Sequence, residues 1–128
     1  MKKIIIDTNF LLIPYQFKID IFTEINRIMQ EKYEIFVLEE TIKELEKIVK
    51  EQKGKDKEAA KLALKLIENK QIKALKTEKH KNADRILQEI ADKDTIVATQ
   101  DKALKRALKT KDIKTIAMRQ QQYLIIEG

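Results

Sequence analysis

Apolar residues along this chain come in two kinds of run, short continuous ones and longer ones at helical spacing, and the two kinds take turns. Ile4 to Ile6 is β-branched and uninterrupted, the pattern of a strand buried on both faces, and Asp7 closes it. Pro14 disfavours helical dihedrals in the residue before it, which predicts a loop over Pro14 to Lys18. From Ile19 the positions Ile21, Phe22, Ile25, Ile28 and Met29 follow helical spacing, with Asp20 near the start. Ile35 to Leu38 is a second strand-like run. It feeds a helix over Glu39 to Lys53 with Ile42, Leu45, Ile48 and Val49 on one face, and Glu44 lies in its early turns off that stripe. Gly54 predicts a break, after which Ala60, Ala63, Leu64 and Ile67 form another stripe backed by Lys57, Lys61 and Lys65.

The second half repeats the alternation. Ile72 to Leu75 is a weak third strand, and Ala83 to Ala91 a helix with Ile86, Leu87 and Ile90 inward. Thr95 to Thr99 is a strand closed by Asp101. The next helix turns Ala103, Leu104, Ala107 and Leu108 inward and Lys102, Lys105, Arg106 and Lys109 outward. Thr115 to Met118 makes a fifth strand, and Tyr123 to Ile126 reads either as a short sixth or as an oligomer contact. Strands alternating with helices predict right-handed crossovers and an α/β fold, a three-layer α/β/α arrangement around a central, mainly parallel five-stranded sheet. The length suits a single domain over residues 1–128. In such sheets sites form beyond the carboxyl ends of the strands. Asp7 and Asp101 fall at that edge by position, and Glu44 and Asp84, near helix starts, can reach it.

Composition narrows the chemistry. With no Cys and one His, disulfides, zinc-thiolate sites, thiol nucleophiles and histidine-rich metal sites are excluded, so any metal is held by oxygen. Met1-Lys2-Lys3 before Ile4 to Ile6 begins like a signal peptide, but Asp7 interrupts the run too early, and no run reaches membrane-span length. The expectation is a cytoplasmic protein with no membrane partner. The net charge of +6 is concentrated: Lys47 to Lys81 holds twelve Lys against five Asp or Glu. Such a stretch attracts polyanions by counterion release, and it is equally the solvated surface of a stable Lys-rich protein.

Three or four carboxylates in one pocket repel one another unless a divalent cation neutralises them, and magnesium or manganese suits Asp7, Glu44, Asp84 and Asp101. The chemistry best supported by such a site is phosphodiester hydrolysis, which then needs no protein nucleophile. Against this, acidic residues are favoured at helix starts by the cap and the dipole, so Asp84 and Asp101 can each be ordinary caps.

The segments Ile4-Ile5-Ile6-Asp7-Thr8-Asn9, Glu40-Thr41-Ile42-Lys43-Glu44-Leu45, Ala83-Asp84 and Ile96-Val97-Ala98-Thr99-Gln100-Asp101 together resemble the PIN domain family of metal-dependent ribonucleases. Within that family, Asp7-Thr8-Asn9-Phe10, Lys18-Ile19-Asp20-Ile21-Phe22, Glu44-Leu45-Glu46-Lys47 and Ala98-Thr99-x-Asp101 followed by Leu104-Lys105-Arg106 look most like the endonucleases of ribosomal RNA processing. The resemblance implies a PIN-like, Rossmann-like topology, a magnesium or manganese ion on Asp7, Glu44, Asp84 and Asp101, and Thr8, Asn9 and Thr99 orienting ligands or water. Two positions depart from the pattern. Gln100 stands where many toxin-type relatives have Asn, and Arg85 follows Asp84 where relatives often carry another acid, which either lowers metal affinity or leaves Asp94 to compensate.

Asp92 and Asp94 otherwise read as turn formers, Glu46 as a surface charge, and His80 as an exposed residue outside the site. Tyr15 and Phe17 either stack on an RNA base or pack against the next helix. The preferred phosphate contacts are Lys102, Arg106 and Lys109, and then Lys57, Lys61 and Lys65, while Arg119 with Gln120 to Gln122 either contacts phosphate and bases or caps the sheet. The expected function is endonucleolytic RNA hydrolysis in ribosomal or other structured RNA maturation, with a preribosomal particle as partner. The alternatives are the ribonuclease toxin of a toxin–antitoxin pair, with an antitoxin protein as partner, and a noncatalytic RNA-binding scaffold. A receiver-like domain fits less well, and two Gly supply no phosphate loop. PIN relatives often dimerise, and Tyr123 to Ile126 would serve a homodimer as well as an edge strand.

Overall fold

A computed structural model of the chain describes residues 1–77 and 82–128. His80, read from sequence as an exposed residue, lies outside the described residues. Among the described residues, six strands form one sheet: β1 (Lys2–Ile6), β2 (Tyr33–Leu38), β3 (Lys73–Leu75), β4 (Thr95–Ala98), β5 (Lys114–Arg119) and β6 (Tyr123–Glu127). The order across the sheet is β3-β2-β1-β4-β5-β6, with every pair parallel except β5 and β6. The helices among the described residues are α1 (Ile13–Phe17), α2 (Ile21–Ile28), α3 (Glu39–Glu51), α4 (Lys55–Asn69), α5 (Ala83–Ile90) and α6 (Lys102–Thr110).

The pleat distributes side chains to two cores, which is what makes three layers. Ile4 and Ile6 point to one face, joined by Val37, by Ile13, Ile21 and Ile25 of α1 and α2, by Leu45 of α3, and by Ala60, Ala63 and Ile67 of α4. Ile5 points to the other, with Phe36, Leu38, Val97, Ile86 and Leu87 of α5, and Leu104 and Leu108 of α6. The uninterrupted apolar runs of β1 and β4 follow from this, because a central parallel strand has no solvent face. The chain reverses direction across the sheet between β1 and β4, whose register pairs Ile6 with Ala98. Asp7 and Thr99 therefore emerge side by side, at the switch point where parallel α/β sheets place their ligands.

Some local expectations are corrected. Residues Pro14 to Lys18 are not a loop. Phe10–Leu12 form a 3-10 turn that runs into α1, and Ile13 before the proline is helical at φ −55° and ψ −44°. Pro14 sits in the first turn of α1, where its missing N–H is one that no helix would use and its fixed φ suits the helix. Lys18 then ends α1 in the left-handed region at φ 58°. Ile90 is 40% exposed rather than inward, and Ala103 is exposed, so the buried stripes of α5 and α6 are narrower than their periodicity suggests.

The apolar segment Tyr123 to Ile126 is a sixth, antiparallel edge strand. Helix α2 clasps it: Arg27 Nη2 donates to the Leu124 carbonyl at 2.9 Å and Glu24 Oε1 accepts from the Leu124 N–H at 3.0 Å. Leu124 is wholly buried. Gly54, the predicted break, lies between α3 and α4 at φ 68°, a conformation that other residues adopt only with strain. Among the described residues, no helix is long and apolar enough to cross a membrane.

Candidate active site

Each candidate carboxylate has a different local anchor. Asp7 follows β1, its N–H donating to the Ala98 carbonyl at 2.9 Å, so the sheet's hydrogen bonding continues one residue past both strands. Its side chain is buried. Oδ2 accepts from the Thr99 hydroxyl at 2.8 Å and Oδ1 from the Thr8 N–H at 2.9 Å. Burial pushes the Asp7 carboxyl above the ordinary range, the bonds from Thr99 and Thr8 oppose that, and the charge of Asp101 adds to it.

Asp101 is the N-cap of α6, with Oδ1 accepting from the N–H groups of Ala103 at 2.9 Å and Leu104 at 3.1 Å. The bond from Leu104 leads the effects that hold its carboxyl below the ordinary range. Capping and function are not alternatives here, because Oδ1 makes both cap bonds and leaves Oδ2 free of that task. Asp84 is different. Asn82 caps α5, its side-chain oxygen accepting from the Arg85 N–H at 2.9 Å, so Asp84 in the first turn has no capping duty. Burial first, then the charge of Asp7 and a hydrogen bond to Asp101, push the Asp84 carboxyl up to about 6.

Glu44 projects from α3 at the open side of the pocket. Burial and then the charge of Asp7 raise its carboxyl, the Thr8 hydroxyl opposes this, and Asp84 and Glu40 raise it further. The fold thus brings Asp7, Glu44, Asp84 and Asp101 within electrostatic reach of one another from four separate elements. Among the described residues, no three of these carboxylates close tightly enough to coordinate an ion as they stand. The donor set is all oxygen and mutually repelling. That chemistry fits a hard divalent cation, for which Asp7, Glu44, Asp84 and Asp101 supply the available ligands.

The neighbouring polar residues lock the two strand ends together. Thr99 Oγ1 accepts from the Asp101 N–H at 3.1 Å while donating to Asp7. Asn9 Oδ1 accepts from the Gln100 N–H at 3.1 Å, and Gln100 Nε2 donates to the Asn9 carbonyl at 3.1 Å. The Gln100 departure from the family pattern therefore keeps a bond across this junction. Thr8 bonds the buried Thr41 hydroxyl at 3.1 Å, tying the β1 end to α3. Sequence reasoning gave Thr41 no role. Its placement four residues before the buried Leu45 is the signal, since that spacing puts both on the inward side of α3.

Asp94 cannot compensate for Arg85. It lies at the opposite end of β4, where its carboxylate pairs with Lys2 at 3.8 Å, while Asp92 accepts from the Asp94 N–H at 2.9 Å as a turn former. Phe17 packs against the core. Tyr15 is half-buried with Lys18 Nζ 4.3 Å from its ring centre, beside a cleft of about 360 Å³ that Gln16, Lys55 and Asp56 also line. Lys102, Arg106 and Lys109 are exposed on α6, and the Arg106 charge helps hold Asp101 ionised. Arg119 is paired with Glu127, which Lys105 also approaches at 3.7 Å.

The chain is similar to known ribonucleases. The chain is 37% identical to Ribonuclease VapC4 of Methanocaldococcus jannaschii over 132 aligned residues, covering 100% of this chain and 98% of that protein. It is 31% identical to Ribonuclease VapC9 of Archaeoglobus fulgidus over 125 residues, covering 96% and 87%. The solved structure of the PIN domain endonuclease Utp24 superposes with a TM-score of 0.80 at 26% identity, covering 98% of this chain and 90% of that one. A family model described as a PIN like domain matches residues 4–121, a span that begins in β1 and takes in all four carboxylates. The chain belongs to the PIN-like domain family.

Proposed function

We propose that this protein is an endoribonuclease that hydrolyses RNA phosphodiester bonds with Mg²⁺ or Mn²⁺ held by Asp7, Glu44, Asp84 and Asp101. The observation that carries the reading is that the ends of β1 and β4 place the buried Asp7 beside Asp101 at the start of α6, with Thr99 bonded to both residues and with Glu44 and Asp84 reaching the same edge from α3 and α5. Such a pocket has a strong electrostatic demand for a cation. When bound, the metal supplies a Lewis acid that activates water and stabilises the charge developing on phosphate. The chain's own contribution is placement. Thr99 and the Thr8 N–H fix both oxygens of Asp7, the α6 N-terminus fixes Asp101, and Thr8 supports Glu44. Lys102, Arg106 and Lys109 offer phosphate contacts along the helix that Asp101 begins, with Lys61 and Lys65 on α4 a second track. Arg119 reaches phosphate by exchanging its bond to Glu127.

The biological setting that fits best is a toxin–antitoxin pair, with an antitoxin protein as partner in the cytoplasm. Both curated relatives are VapC ribonucleases, which supports that reading over the ribosomal RNA maturation expected from sequence. The similarity to the endonuclease Utp24 supports internal cleavage and keeps RNA processing as the second reading. The deciding experiment is cleavage of labelled single-stranded and hairpin RNA with manganese, magnesium or EDTA, beside Asp7→Asn and Asp101→Asn. Metal-dependent cuts that disappear in both variants are expected. RNA binding without cleavage, equal in both variants, would replace the nuclease with a scaffold.

A further inference from the structure

Strand β5 runs past its neighbour β4. Ala98, the last residue of β4, pairs with Ile116, and β5 goes on through Ala117, Met118 and Arg119, which carries it about 10 Å further. Because β1, β4 and β5 are parallel, it overhangs the edge where Asp7, Thr99 and Asp101 emerge. The chain then reverses into β6 through Gln120, Gln121 and Gln122, closed by a bond from the Gln122 N–H to the Arg119 carbonyl at 3.0 Å. Both central residues are left-handed, Gln120 and Gln121 each at φ 54°. That is the signature of a mirror-image hairpin turn, whose positions are ordinarily filled by Asn, Asp and Gly.

Glutamine is ill suited to this conformation. Its Cβ crowds the following carbonyl oxygen, and it lacks the short reach by which Asn and Asp bond their own backbone. Among the described residues, no other two consecutive side-chain-bearing residues have positive φ. Nothing within the protein offsets the cost: both side chains are exposed, and neither makes a hydrogen bond among the described residues. Strain kept without internal compensation, beside a site, points to a ligand. A glutamine amide offers two N–H donors and a carbonyl acceptor, the complement of a base edge, and carries no charge for phosphate. Arg119, at the foot of the turn, is held by Glu127 across the hairpin, so the tip presents amides alone.

We propose that Gln120 and Gln121 set the sequence specificity of cleavage, by hydrogen-bonding the edge of an unpaired base that flanks the scissile phosphate. The substrate is then single-stranded at that position, because the deep, narrow major groove of an RNA duplex keeps its base edges from side chains. The inference rests on the proposed endoribonuclease activity and deepens it.

The test uses a pool of single-stranded RNAs randomised around the cut, with cut and uncut molecules sequenced. Two double variants are compared with the unmodified chain. Gln120→Gly with Gln121→Gly removes both the strain and the amides, and Gln120→Met with Gln121→Met keeps length and shape but removes the amides. The unmodified chain is expected to prefer one base at a position flanking the cut by on the order of tenfold or more. Both variants should lose that preference while cutting disfavoured RNAs at the original rate, with the salt dependence of binding unchanged. The double Gly variant should melt no lower than the original, since relief of two left-handed positions offsets the added freedom of its unfolded chain. No base preference in the unmodified chain, preference intact in either variant, equal loss of cleavage on every sequence, or a marked fall in the melting temperature of the double Gly variant would overturn the inference. If the unmodified chain binds RNA but cuts none, the nuclease reading fails, and the bases enriched among bound molecules of the same pool decide the role of the turn. If it binds no RNA, both fail.

Discussion

The Thr99 hydroxyl lies 2.8 Å from Asp7 Oδ2 and donates to it, while the same oxygen accepts the Asp101 N–H at 3.1 Å. One side chain at the end of β4 thus joins the Asp7 carboxylate to the backbone of Asp101, 94 positions apart in sequence. Thr99→Val keeps the shape and leaves both groups without their partner in a buried setting. The expected cost is about 1–3 kcal/mol of stability, with cleavage reduced on the order of tenfold or more. Thr99→Ser should stay near the unmodified chain. Thermal melts and initial rates on one RNA substrate check both.

Asp7→Asn tests the central charge. The amide retains an oxygen for the Thr8 N–H or the Thr99 hydroxyl, so the fold should survive. Burial already disfavours the ionised form of Asp7, so neutralising it should leave the metal-free protein at least as stable at neutral pH. Cleavage should be abolished. A variant that folds, melts no lower than the original and still cuts RNA at full rate would refute the site.

Asp84 gives a pH signature with a definite sign. Its folded-state value of about 6 lies above the ordinary 3.8, so between those values the folded chain holds a proton that the unfolded chain has released. That contribution to stability is fully present below the lower value and is lost as pH rises through the upper one. Asp7 and Glu44 share this sign, and Asp101 opposes it. Comparing Asp84→Asn with the original chain isolates the one group. In EDTA the variant should melt higher than the original at about pH 7.5, and the gap should shrink toward about pH 5.

The same proton must leave when a cation enters, because a metal competes with it for the Asp84 and Asp101 oxygens. Mn²⁺ binding should therefore weaken below about pH 6 and release protons. Calorimetry in two buffers of different ionisation enthalpy measures the release directly. Binding with no buffer dependence near that pH would mean that the metal does not use this pair.

The α6 cations predict a salt effect. Replacing Lys102, Arg106 and Lys109 singly with Gln should weaken RNA binding across all sequences and reduce the slope of log affinity against log salt by about 0.7 for each phosphate contact removed. Melting temperatures should hardly change, since all three side chains are exposed. An unchanged slope in all three variants would move the RNA path to α4.

The layered fold was legible because each β-strand run and each helical stripe reports its own burial. Ile4 to Ile6 and Thr95 to Ala98 could only be strands covered on both faces. The error at Pro14 came from applying the restriction on the preceding residue without the first-turn exception, where Ile13 is held helical by the turn before it. Tyr123 to Ile126 was ambiguous because an edge strand and an interface share one pattern, and the clasp that decides it comes from Glu24 and Arg27, about a hundred positions away. The four carboxylates were legible from position and family motif. Thr41 and Gln100 act through partners on other elements, at Thr8 and Asn9, and no local spacing announces such bonds.

Asp7 takes its place from the continuation of the β1–β4 ladder, in which its own N–H reaches the Ala98 carbonyl at 2.9 Å. Exposing that amide requires parting the two central strands, so its exchange with solvent deuterium should be about as slow as global unfolding allows. Asp84 takes its place instead from an eight-residue helix that Ile86 and Leu87 seat in the second core. The pocket therefore has one wall that opens only when the whole molecule does, so the placing of the Asp7 carboxylate is as durable as the fold itself.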